Sequence, residues 1–305
     1  MPVRRSLLVA YLATPGGEDA LAHGIELARV FDADLQLCIV LPPVGPAEQI
    51  AASGNTDYTE ILDDQATAWL TAAIATVPDD LTAEGRIVYD ENPAEGLVGE
   101  AERSGALAIV VGASGGGVMG RLSLGSTVNS LLHISSRPVV LTPRRADDAT
   151  AADGTVLESS APIQRVTCAV GRRTGAGPMM RTTLGVCKVT GLPLRLVSLV
   201  AADEQVSPWH QAERERAARH AAAEHLTDLL DEARHALGPD ADITTVVVTA
   251  RRTEDAVTSL EWRPGDILFV GSSRLAQPLH LFLGATAAKM LRALEVPMVV
   301  VPKDA

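Results

Sequence analysis

The strongest constraint on this chain is that it repeats itself. Shifted by 159 positions, its landmarks coincide: Ala10 falls on Ala169, Leu35 on Leu194, Val88 on Val247 and Glu95 on Glu254. Further along, Gly112 falls on Gly271, Gly125 on Gly284, Pro138 on Pro297 and Pro143 on Pro302. A single offset running from the first apolar run to the last, with no net insertion, means two copies of one fold. A chain of 305 residues has room for about two domains. The expectation is therefore two domains rather than one large sheet.

Within each copy, short β-branched runs alternate with longer helical patterns. The first copy has strand candidates at 7–11, 35–41, 86–89, 107–111 and 138–142, with helices at 18–31, 57–76, 93–104 and 126–135 between them. The second has strands at 166–170, 194–200, 243–248, 266–270 and 297–301. Strands separated by helices of this length form right-handed crossovers, hence an α/β fold with a parallel, helix-flanked sheet of five strands in each copy. With 47% hydrophobic but only 3% aromatic residues, the cores are expected to be aliphatic. The join is small, polar and acidic, as a flexible linker is. The domains expected are 1–145 and 163–305, with a linker at 146–162.

The stretch LAIVVGASGGGVMGRLSLGST, 107–127, joins a buried strand to a glycine-rich loop and a helix start. Bare glycines allow a ligand close to the backbone, and the amides at a helix start face whatever lies beyond them, which suits a phosphate. Ser126 and Thr127 either cap that helix or bond the same phosphate. The Walker loop needs a Gly-Lys-Ser/Thr ending, absent here. The run Gly112, two residues, Gly115, nine residues, Gly125-Ser126, followed by a helix and a terminal strand, resembles the ATP-binding motif of the universal stress protein family.

The resemblance covers nearly the whole chain as a tandem pair and implies an adenine nucleotide alpha hydrolase-like sandwich, with ATP across the ends of strands one and four. It assigns cofactor contacts to Val111, Gly112, Ser114, Gly115, Gly125, Ser126 and Thr127, and matches Val40 to an apolar residue near adenine. Where the family carries an aspartate after strand one, this chain reads Leu12-Ala13-Thr14, and Thr14 is left as a weaker contact. The second copy departs further: Arg274 replaces the second glycine, Ala285 the serine, and Gly171-Arg172-Arg173 the aspartate turn. That copy reads as a non-binding, built-in partner. Family members pair through the terminal strand, so fused copies are expected to pair theirs within one chain, with a homodimer as a further arrangement.

The formal charge of −12 argues against a nucleic-acid-binding role, which needs a basic face. Cys38, Cys168 and Cys187 have no metal spacing and read as core residues of a cytoplasmic protein. The N-terminal MPVRRSLLVAYLA imitates a secretory signal, but its internal copy marks it as a strand. No run reaches the length of a membrane span. His210, His220, His225 and His235 lack the four-residue spacing of ligands on one helical face and read as part of a solvated, charged surface. No metal site and no catalytic constellation are expected, and Mg²⁺ enters only as the companion of a triphosphate. The function expected is stress-related ATP binding by the N-terminal copy, which regulates partners or conformation. The alternatives are a scaffold that binds no nucleotide and a slow ATPase.

Overall fold

The computed structural model describes residues 5–43, 56–112, 125–143, 161–171, 177–201, 208–273 and 280–303. In the first half the order is β1 (Ser6–Ala10), α1 (Pro15–Phe31), β2 (Asp34–Leu41), α2 (Thr56–Ile74), β3 (Ala83–Tyr89), α3 (Pro93–Ser104), β4 (Ile109–Gly112), α4 (Ser126–Ile134) and β5 (Val139–Thr142). In the second it is β6 (Arg165–Ala169), α5 (Gly177–Thr190), β7 (Leu194–Ala201), α6 (Pro208–Leu237), β8 (Ile243–Ala250), α7 (Thr253–Thr258), β9 (Asp266–Gly271), α8 (Ala285–Ala293) and β10 (Met298–Val301). The segment that imitates a secretory signal contains β1, paired on both sides.

Local chemistry explains where the helices begin and end. The α1 helix starts at Pro15, earlier than expected at 18, because Thr14 is its cap and a proline suits the first turn. Asn92 caps α3 in the same way, again with a proline following, and Gly105 ends it at φ 68, a left-handed angle that glycine adopts without penalty. The fourth strand begins at Ile109 rather than 107, since Leu107 is partly exposed before the chain enters the sheet.

Each half is a parallel sheet in which the strand order reverses between the first and fourth strands. The halves do not remain two sheets, however. Among the described residues the order is β3-β2-β1-β4-β5-β10-β9-β6-β7-β8, one sheet of ten strands, whose only antiparallel join is the central pair β5–β10. There Leu141 faces Met298, Val140 faces Val299 and Val139 faces Val300. The terminal strands are buried throughout, and pairing them satisfies two edges that would otherwise leave unpaired N–H and C=O groups among apolar side chains.

Two apolar layers hold this sheet, one on each face, and both run through the two halves. One gathers Leu7, Leu37, Leu27, Val140, Val166, Met180 and Val299 under α1, α2, α5 and α6. The other gathers Leu8, Leu97, Leu131, Leu141, Leu268, Met290 and Val300 under α3, α4, α7 and α8. At the amino ends of the second half's strands, buried Asp266 takes both arms of Arg165 at 2.8 and 2.6 Å. Arg195 lies 3.6 Å from that carboxylate and 4.9 Å over the Trp262 ring. The position equivalent to Arg195 in the first half is Gln36, which donates to buried Glu100 at 2.8 Å. Most described side chains of α6 are exposed. No described helix is long and apolar enough to cross a membrane.

Candidate functional site

At the carboxyl ends of β1, β2 and β4, where the strand order reverses, lies a cleft of about 730 Å³. Crevices of open α/β sheets bind ligands at this place, and the volume is in the range of small-molecule sites. Three segments build it: the turn from β1 into α1, the first turns of α3, and the start of α4.

The β1–α1 turn is tightly wound. Thr14 N–H donates to the Leu12 carbonyl at 2.7 Å, and Thr14 Oγ1 accepts from Gly17 N–H at 3.3 Å. Gly17 sits so close to Leu12 that a Cβ on it would stand 2.0 Å from the Leu12 oxygen. Gly112, closing β4, has the same requirement: its Cβ would fall 1.8 Å from the carbonyl oxygen of Gly16. Its missing side chain is thus needed by the protein's own backbone, in addition to leaving the cleft open. The Thr14 hydroxyl lines the cleft while its oxygen serves the helix cap.

Val40, Cys38, Leu97, Val111 and Val128 make an apolar slot. Val40 is wedged against Gly96 of α3, whose Cβ would meet Val40 Cγ1 at 2.9 Å. Burial pushes the Cys38 thiol up to about 12, assisted by the Glu100 charge, so it lines the slot as an inert neutral group. Burial, then Glu18, raises the Tyr11 phenol. Leu12, in the turn where the resemblance leads one to expect an aspartate, is half exposed on the rim.

The start of α4 differs from the expectation in one respect. Gly125, with an extended backbone at φ −70, is the cap residue; Ser126 and Thr127 are the first two helical residues, and no side chain caps the helix. The first amides of a helix have no partner within it, so this end offers N–H groups to the cleft that Gly125, Ser126 and Thr127 line. The structure thus brings Thr14, Val40, Val111, Gly112, Gly125, Ser126 and Thr127 around one cleft. Ser114 and Gly115 lie outside the described residues. The lining residues not assigned from the sequence are Ala10 and Tyr11 of the first strand end, Pro15, Gly16 and Gly17 of the turn, and Cys38, Pro93, Leu97 and Val128. Only Asn92-Pro93, a helix start on the same edge, hinted at the α3 contribution.

The second half is built differently at the matching place. Met179, where the first copy has Ala20, packs at 3.5 Å from the point a Cβ on Gly271 would occupy. Ser273 N–H donates to the Phe282 carbonyl at 2.8 Å, and Phe282 N–H to Ser272 Oγ at 2.7 Å, which ties the strand end to the segment before α8. Arg172, Arg173 and Arg274 lie outside the described residues.

A tandem α/β protein with two matching sheets fused edge to edge, and a glycine-lined cleft at the strand-order reversal of the first, defines the class. Residues 4–143 and 162–302 each match the universal stress protein family, and the chain belongs to it. It is 24% identical over 301 residues to universal stress protein Rv2319c of Mycobacterium tuberculosis, covering 97% of this chain and 99% of that one. Among solved structures, a universal stress protein from Archaeoglobus fulgidus superposes with a TM-score of 0.58 at 15% identity, covering 98% of both chains. A putative universal stress protein from Pseudomonas aeruginosa gives 0.57 at 14% identity, covering 99% of this chain and 94% of that one. These two share the fold.

Proposed function

We propose that the N-terminal half binds ATP and that occupancy of the cleft alters conformation or partner choice, with no chemistry done on the nucleotide. The observation that carries this reading is the pairing of an apolar slot with an uncapped helix start across one cleft. Val40, Leu97 and Val111 suit the faces of a purine, while the amides at 126–128 and the hydroxyls of Ser126 and Thr127 suit phosphate oxygens. The motif spacing supports the same assignment for Ser114 and Gly115. No carboxylate lines the cleft among the described residues, so Mg²⁺ would be carried by the phosphates rather than by a protein cage. The same lining offers no general base, which supports a sensing role over hydrolysis.

Titration calorimetry of the purified chain with Mg·ATP tests this. The expected result is about one equivalent bound per chain, lost in a Gly125→Val variant that blocks the start of α4. Absence of heat at millimolar nucleotide would leave the scaffold reading.

A further inference from the structure

Helix α4 carries the candidate site at its start and touches the other half of the protein at its end. Its last residues are followed by Ser135, wholly buried, whose carbonyl accepts from Leu281 N–H at 3.1 Å. A helix end leaves its carbonyls without partners inside the helix, so this bond, supplied by the second half, satisfies one of them. Two residues earlier, the His133 ring meets the Phe282 ring edge-on, with centroids 5.0 Å apart at 89°. His133 Nδ1 is itself held by the Asn129 carbonyl at 2.6 Å. The segment that reaches across is anchored in turn: Phe282 is bonded on both sides to Ser272 and Ser273, and Ser272 N–H donates to Val301 at 2.9 Å.

The sequence makes this contact one-directional. Under the 159-residue offset, Phe282 corresponds to Ser123, His133 to Arg292 and Ser272 to Ala113. The first copy therefore has neither a ring to offer α8 nor the hydroxyl that anchors it, and α8 has no ring to receive one. The copy whose glycine motif has degenerated carries the reaching aromatic; the copy that keeps the motif carries the helix it reaches.

We propose that Leu281 and Phe282 of the second half are positioning residues for the nucleotide cleft of the first. They brace α4 at its carboxyl end so that its amino end is held where the ligand's phosphates lie. A helix of nine residues is about 14 Å long and too short to be stable alone, so it depends on packing, which its buried Val128, Leu131 and Leu132 and the contact at its carboxyl end supply, and it moves as one body. Ligand contact at its start and the brace at its end are then coupled, and the coupling acts in both directions. The inference rests on the nucleotide reading for its functional consequence, though not for the brace itself.

The test uses the full chain with Phe282→Ser and His133→Arg, each of which installs the residue found at the matching position of the other copy, and Phe282→Tyr, which keeps the ring. Amide exchange across 126–135 is followed without nucleotide, and Mg·ATP affinity is measured separately. Phe282→Ser and His133→Arg should both speed exchange across 126–135, leave β6 to β8 unchanged and weaken ATP binding by at least about fivefold, the lower end of ordinary coupling. Phe282→Tyr should restore both. Unchanged exchange across 126–135 in the first two variants would overturn the brace, as would a uniform loosening of both halves in each of them. If the wild type binds no ATP while the exchange pattern is as expected, the brace stands and the nucleotide reading falls.

Discussion

Single residues in this protein answer to backbone geometry before they answer to a ligand. Gly112 is the clearest case, since any side chain there meets the Gly16 carbonyl. Gly112→Ala is expected to lower stability by about 1–3 kcal/mol, as overpacking does, read as a lower melting temperature even without nucleotide. Asp266 serves two guanidinium groups, and Asp266→Ala would leave both partly buried without their counter-charge. A loss of about 3–5 kcal/mol in a urea titration is expected, the usual cost of breaking a buried pair. Burial pushes Cys38, Cys168 and Cys187 each up to about 12, well above the ordinary thiol range. Raised thiols favour the folded form while protonated, so this contribution is complete below about pH 9 and is lost as the pH climbs towards 12. Native protein should resist a thiol reagent near neutrality and react with all three only on unfolding. That Cys38 and Cys168 are packing was legible from the apolar runs around them, and Cys187 from its place in a helical pattern; that Gly112 faces Gly16 was not, because the two are far apart in sequence.

At the scale of elements, most of the alternation was legible because its signals are local: apolar periodicity, prolines at helix starts and glycine at a helix end. Differences arise where a neighbour decides the boundary. The third strand runs from Ala83, three residues before the apolar stretch begins, because backbone pairing with β2 extends it over Ala83, Glu84 and Gly85. Of the two roles open to Ser126, cap or phosphate contact, the first is excluded, because the extended backbone of Gly125 takes the cap position and leaves the serine inside the helix. The seam between β5 and β10 is the element most sensitive to change, since Val140 pairs with both Val110 and Val299. Val140→Pro removes an amide from the middle of the sheet, where proline is not accommodated. The expected outcome is loss of soluble protein on expression, while a surface change such as Val189→Thr, on the exposed side of α5, leaves yield unchanged.

The whole molecule is two copies that cannot be separated without exposing their seam. Because each apolar layer runs across both halves, unfolding should be a single cooperative transition. Scanning calorimetry tests this: one peak whose van't Hoff and calorimetric enthalpies agree is expected, and two resolved peaks would show independent halves. At this scale the repeat is matched by two family domains, while the expectation of two domains rather than one large sheet is corrected: the repeats share one ten-stranded framework among the described residues.

The amino-acid sequence by itself determined that there are two copies, that each is α/β with parallel strands, and that the glycine motif survives only in the first. Those properties are written in periodicity and spacing, which act over a few residues or repeat at one offset. Pairing of the terminal strands within one chain was expected from the family resemblance; tertiary structure decided its antiparallel register, that α3 helps line the cleft and that Phe282 reaches α4. Such contacts join residues distant along the chain, and they exist because buried edges and helix ends must find partners wherever the fold brings them.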